Sequence, residues 1–252
     1  MVGGAVARAA VGWSPFETEF VSVDGAVLRE PLSRCWRYPF ENVEPVRSFP
    51  SLKGQRHFPG WWWSATTGGH VGYESWLERD HVMVMDFDPL VVGFASQPFW
   101  LHWPGEERAR RHAPDFFARL ADGTGVVVDV RPDDRIEPRD AEAFAITARA
   151  CAEAGWQFRR VGTLSAVFTA NLRWLSRYRH PRCAGNEETA VRLLEAFAEP
   201  APLFAGAGSV GDTLIVLPVL FHLMWRKSLI ADLKAALLSP TTMVRQGDGV
   251  PR

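Results

Sequence analysis

A chain of 252 residues, 47% hydrophobic and 23% charged, has material for one generous core or two smaller ones and sits within ordinary globular usage, which excludes a low-complexity or disordered class. Its 28 basic and 29 acidic side chains nearly cancel, so bulk charge neither advertises nor excludes a nucleic-acid partner, and any phosphate contact has to come from a local patch. Cys35, Cys151 and Cys183 lie far apart with no CxxC or Cys/His spacing, which argues against a zinc site and a disulfide framework and fits a reducing, cytoplasmic setting.

Residues 1–10 are small and apolar without a sustained hydrophobic run, so no signal peptide is expected. Pro31, Pro39, Pro45, Pro50 and Pro59 then recur without periodicity. They predict an irregular N-terminal extension over residues 1–60, with one short hairpin where VSVDGAVL alternates around an Asp-Gly turn. Trp61, Trp62 and Trp63 lead into a helix over residues 72–86; its Tyr73, Trp76, Leu77 and Val84 share a face, Glu74 and Glu78 are four apart on one side, and Asp88-Pro89 stops it. Trp61, Trp62 and Trp63 read as core packing rather than as base-stacking groups.

Residues 91–103 read as a strand broken at Pro98, residues 112–120 as a second and residues 125–131 as a third, with hairpin-turn chemistry at residues 121–124. A helix over residues 138–154 follows, stopped by Gly155, and residues 156–161 make a further strand. Beyond about residue 165 the pattern turns helical: residues 168–178, residues 187–198, and one or two helices within residues 213–238. The last dozen residues read as loose. The apolar run over residues 213–225 contains Pro218 and His222 and is too short to cross a bilayer, so no membrane association is expected. Gly206, Gly208 and Gly211 spell GxGxxG, but no strand or βαβ unit surrounds them; they read as a connector before a helix capped by Asp212 or Thr213.

The chemistry concentrates in HAPDFFARLADGTGVVVDVRP. A hairpin centred near Asp122 sets Asp115 opposite Asp129, and strand alternation puts Asp129 and Arg131 on one side. Like charges directly opposed are destabilising, and the Phe and Val around them indicate a buried sheet, so a divalent cation between the two is the natural compensation. Glu78 on the preceding helix supplies a third carboxylate, with Glu74 as its alternative. Oxygen ligands of this kind suit Mg²⁺, or Mn²⁺.

An upstream helical Glu78, then Pro114-Asp115, then Asp129-Val130-Arg131 resembles the signature of the PD-(D/E)xK nuclease superfamily, and the helix, three-strand, helix, strand order resembles its core. More narrowly, Ser75-x-x-Glu78, Asp88-Pro89, Gln97-Pro98 and the terminal FHLMWRKSLIADLKAALL are similar to TnsA-type endonuclease subunits of heteromeric transposases. The resemblance implies an α/β, restriction-endonuclease-like core, a mixed β-sheet flanked by helices over residues 61–165. A mainly helical, winged-helix-like partner-binding region over residues 166–252 completes the expected division.

It implies Mg²⁺-dependent hydrolysis of DNA at transposon ends, with Glu78, Asp115, Asp129 and the Val130 carbonyl holding the metal and Arg131 stabilising charge. The implied partners are DNA, a DDE-type transposase subunit and an AAA+ ATPase regulator. Arg131 departs from the pattern's lysine and cannot deprotonate. The alternatives are a non-catalytic subunit bridging transposase and regulator, or a stand-alone restriction or repair nuclease. Arg108, Arg110, Arg111 and His112 read either as a solvated loop or as phosphate contacts, and Gln97 as a DNA contact, a ligand-orienting group or a polar strand end.

Overall fold

The structure, a computed structural model, describes residues 15–48, 58–105 and 110–247. The signal-peptide reading of residues 1–10, Pro50, Arg108 and the final residues 248–252 lie outside the described residues. The chain divides into two compact units, Met1–His81 with Leu90–Thr163, and Val82–Pro89 with Leu164–Arg252.

In the first unit, residues 15–48 are core material rather than an irregular extension. Strand β1 (Glu17–Val21) turns inward Thr18 and Phe20 and pairs antiparallel with β2 (Val27–Pro31), with Gly25 at φ +83° in the turn between them. The prolines that break periodicity sit at element ends: Pro31 closes β2 on the sheet edge and opens the short helix α1 (Leu32–Cys35), and Pro39 opens a 3₁₀ turn at Phe40–Asn42. Phe16, Phe20, Leu32 and Phe40 join Phe99, Leu101, Phe117 and Trp156 in one buried cluster.

Trp61–Trp63 belong to strand β3 (Gly60–Trp63), which pairs with β4 (His70–Tyr73), so helix α2 (Trp76–Phe87) begins four residues later than its apolar spacing predicts. Trp62 is buried, whereas Trp61 is 59% exposed, so the triplet is only partly core. The boundary between the units falls inside α2, between His81 and Val82.

The two strands expected at residues 91–103 and 112–120 each break, at the same level. Strands β5 (Val91–Ser96), β6 (Trp100–Trp103), β7 (Arg110–His112) and β8 (Phe116–Leu120) pair as β5 with β8 and β6 with β7, all antiparallel. One long hairpin therefore serves two sheets, ordered β2-β1-β6-β7 and, with the strands that follow, β10-β9-β8-β5. At the corner Gln97 adopts φ +45°, a conformation an L side chain rarely takes, and its N–H donates to the Asp115 carbonyl at 2.9 Å.

Strand β9 (Gly125–Val130) returns beside β8, and helix α3 (Pro138–Ala154) carries the chain across to β10 (Gln157–Val161), parallel to β9. Helix α3 spans the predicted residues because its ends are specified. Pro138 occupies the first turn, Glu137 and Asp140 close a capping box, and Gly155 ends it at φ +71°.

In the second unit, α4 (Ala166–Leu175) and α5 (Glu187–Ala196) are capped by Ser165 and Asn186. Then come β11 (Ala201–Pro202), α6 (Leu203–Val210), α7 (Thr213–Trp225), β12 (Leu229–Ile230) and β13 (Met243–Gln246), with sheet order β11-β13-β12. Two readings change here. The glycine-rich connector is helical, with Gly206 packed so closely on Phe197 that a Cβ would stand 2.3 Å from the ring. The chain near residue 244 is not loose, because β13 pairs on both sides and Val244 is fully buried. Asp212 caps α7, as expected, by accepting from the Leu214 N–H. No single helix among the described residues is long and apolar enough to cross a membrane.

Candidate active site

The pairing of β8 with β9 runs Phe116 with Val128 and Phe117 with Val127; carried one step further it sets Asp115 opposite Asp129. The two residues lace the strand ends together. The Asp115 N–H donates to Asp129 Oδ1 at 3.3 Å, and the Val130 N–H donates to Asp115 Oδ2 at 2.7 Å. Asp129 is 2% exposed, so its charge needs partners. His112 is one of them. Strand β7 ends there as the chain passes from one sheet to the other, which brings Nε2 within 2.9 and 3.0 Å of the two Asp129 oxygens. Since a carboxylate only accepts, Nε2 carries the proton.

Glu78 enters from the first turn of α2. Ser75 caps that helix: its Oγ accepts from the Glu78 N–H at 3.2 Å and its hydroxyl donates to Glu78 Oε1 at 2.8 Å, while the Glu74 N–H donates to Glu78 Oε2 at 2.8 Å. The Ser-x-x-Glu motif is thus, locally, a capping arrangement that aims the glutamate back over the helix N-terminus. Glu74 lies outside the helix with its carboxylate spent on Arg47, at 3.0 and 2.6 Å.

These residues line one cavity of about 700 Å³, which holds Glu78, His112, Asp115, Asp129, Val130 and Arg131 together with Arg47, Arg135, Phe58 and Trp76. Burial, then the charge of Asp129, then that of Glu78, push the Asp115 carboxyl well above the usual carboxylate range, against the opposing Val130 N–H. Burial also raises Glu78; the Glu74 N–H, the Ser75 hydroxyl and Arg47 oppose this, and the Glu74 charge adds to it.

The donor set is hard oxygen throughout, and negative charge is concentrated at Asp115, beside Asp129 and Glu78. In chemistry this fits Mg²⁺ or Mn²⁺. Among the described residues no three His, Cys, Asp or Glu side chains stand close enough to share an ion as they are arranged. Glu78 is engaged in its cap and Asp129 with His112.

The other candidates are placed differently. Arg131 lies 3.4 Å from Asp140 of the α3 capping box and is half exposed. Arg110 pairs with Glu142, and Arg111 stacks its guanidinium 4.1 Å from the Trp100 ring centroid. Gln97 is 1% exposed, so its side chain is not presented to DNA; its backbone holds Asp115 instead, and its amide atoms have no hydrogen-bond partner among the described residues.

The sequence pattern marks His112 only as a loop or phosphate-contacting residue and does not single out Phe58. The signal was thin: His112 sits three residues before Asp115, and the strand break between them removes the alternation that would have tied the two together.

Residues 88–162 match the family model described as TnsA-like endonuclease N terminal. The matched stretch contains His112, Asp115, Asp129 and Arg131, and it leaves Glu78 outside. No curated protein matches the chain.

Proposed function

From the premise that residues 88–162 are TnsA-like endonuclease sequence, we propose that the chain is the metal-dependent endonuclease subunit of a heteromeric transposase, hydrolysing a phosphodiester at transposon ends. The observation that carries this reading is the opposition of Asp115 and Asp129 across a buried hairpin, with Glu78 lining the same cavity. Glu78, Asp115, Asp129 and the Val130 carbonyl would hold Mg²⁺ or Mn²⁺. Such a cation, when bound, supplies charge stabilisation at the phosphodiester and acidifies water.

The chain's own side chains do the positioning. His112 fixes the Asp129 carboxylate, and the Val130 N–H fixes that of Asp115. Arg131 offers a permanent positive charge at the cavity wall and stabilises developing negative charge; it does not serve as a base. Arg110 and Arg111, exposed on β7, are the phosphate contacts of this reading.

Contact with a DDE-type transposase and an AAA+ ATPase regulator belongs to the second unit. There Leu214 and Ile215 are 83% and 70% exposed, and a groove of about 390 Å³ is walled by Trp174, Leu217, Phe221 and Leu237.

The test is cleavage of a cognate transposon end by the full chain with its transposase partner, scored on the strand the DDE subunit leaves intact. With Mg²⁺ the wild type cuts, and Asp129→Ala cuts about 10²-fold slower or worse. The engagement of Arg131 with Asp140 favours one rival, a non-catalytic bridging subunit. No cutting of that strand by the wild type would establish the rival, and undiminished cutting by Asp129→Ala would reject this site as the nuclease centre.

A further inference from the structure

We propose that Phe58 and Trp76 form a stacking platform for an unpaired nucleobase, so that the DNA strand entering the carboxylate cavity does so with at least one base out of the duplex. This rests on the nuclease reading above and adds to it the form of the substrate.

Both rings line the cavity that contains Asp115 and Asp129. They lie 5.6 Å apart at 33°, and Phe58 is 55% and Trp76 48% exposed. Trp76 is the first residue of α2, beside the Ser75 cap, so its backbone is fixed by the same turn that aims Glu78. Arg79, one turn on, sets its guanidinium 4.1 Å from the Trp76 centroid while pairing with Asp80 at 3.2 Å, which holds the ring in place. Two large aromatic rings half in water at the mouth of a charged cavity are poor for stability unless something flat covers them.

The chemistry of the walls selects the occupant. An apolar protein segment would bring its buried centre against Glu78, Asp115, Asp129 and Arg135, where interface cores are depleted of charge. A nucleotide presents a π-face to the rings and a phosphate to the exposed Arg135, which is the pairing of aromatics and cations found in single-strand grooves. A base inside a duplex is already stacked on both faces, so only an extruded or unpaired base can use the platform.

The experiment measures binding of the full chain to a labelled 30-bp duplex and to the same duplex with three unpaired nucleotides, by fluorescence anisotropy with Ca²⁺ replacing Mg²⁺. The wild type should bind the interrupted duplex about tenfold more tightly, and Phe58→Ala and Trp76→Ala should each remove that preference while Trp76→Phe keeps it. Phe58→Ala, at an exposed position, guards against a folding artefact at the start of α2, and melting curves accompany each variant.

The proposal is overturned if the wild type binds neither DNA or shows no preference, or if both alanine variants retain it. It is equally overturned if those variants lose only a protein partner in pull-down while DNA affinity is untouched. Asp115→Asn separates the two claims. The platform predicts that it keeps the preference for unpaired DNA, whereas unimpaired cutting by Asp115→Asn would sink the nuclease reading alone.

Discussion

Replacing Asp115 with asparagine is expected to slow strand cleavage severely and, in protein stripped of divalent cations, to raise the melting temperature of the first unit at pH 8. Asparagine keeps the shape, and its carbonyl can accept the Val130 N–H as Asp115 Oδ2 does at 2.7 Å. What it removes is a negative charge that burial, Asp129 and Glu78 all disfavour. The folded-state pKa of Asp115 is raised above its unfolded value near 3.9, so between the two the folded state binds more protons, and stability is lost as pH rises through that window. Above the window the full penalty applies to aspartate and none to asparagine.

The gain at pH 8 should be about 1–2 kcal/mol, the usual range when a strained functional site is relaxed. It should shrink as pH falls toward 4. Cleavage should fall by about 10²–10³-fold, as when a group serving the transition state is removed. Differential scanning calorimetry across pH, beside the cleavage assay, checks both halves. An Asp115→Asn protein that melts lower than wild type at pH 8 would mean that Asp115 stabilises the metal-free fold.

Phe40→Ala should cost the first unit about 3–5 kcal/mol, the range for removing a buried aromatic from a core. Phe40 is 0% exposed, and its ring centroid lies 5.0 Å from Phe20, 4.9 Å from Phe99, and 5.7 Å from both Phe117 and Trp156. It therefore joins the sheet that carries β1 to the sheet that carries the aspartates, and no neighbour can collapse into the space without abandoning the others. Urea denaturation followed by near-ultraviolet circular dichroism reads the loss. A change within 1 kcal/mol would return residues 15–48 to the status of an appendage.

The contrast between what was legible and what was not follows the range of the forces involved. Local signals carried far. The Asp115 and Asp129 pairing was readable because a hairpin centred on Asp122 has only one register in which both faces make sense, and α3 because proline, capping box and glycine all lie within its own sequence. The same locality hid the rest.

Nothing near Phe40 in the sequence says that its ring meets Trp156, more than a hundred residues away, so the stretch looked irregular although Pro31 and Pro39 merely mark element ends. Glycines at 206 and 208 suggested a connector, where Gly206 is small to admit the Phe197 ring. The breaks at Gln97 and after His112 cancel each other across the hairpin, which periodicity in either strand alone cannot reveal. At the site, the three acids were visible as residue types in order. The hydrogen bonds that occupy them, Ser75 on Glu78 and His112 on Asp129, depend on geometry that spacing does not encode.

If Glu78, Asp115 and Asp129 hold one divalent cation between them, direct Mn²⁺ binding reveals it without recourse to catalysis. Electron paramagnetic resonance titration of the full chain should give one Mn²⁺ site, with affinity reduced at least about tenfold in each of Glu78→Ala, Asp115→Ala and Asp129→Ala, a conservative figure for removing a ligand given that loss of outer-shell partners alone costs 10–100-fold. Mn²⁺ binding that is unchanged in all three variants, or no binding by the wild type, would contradict the account.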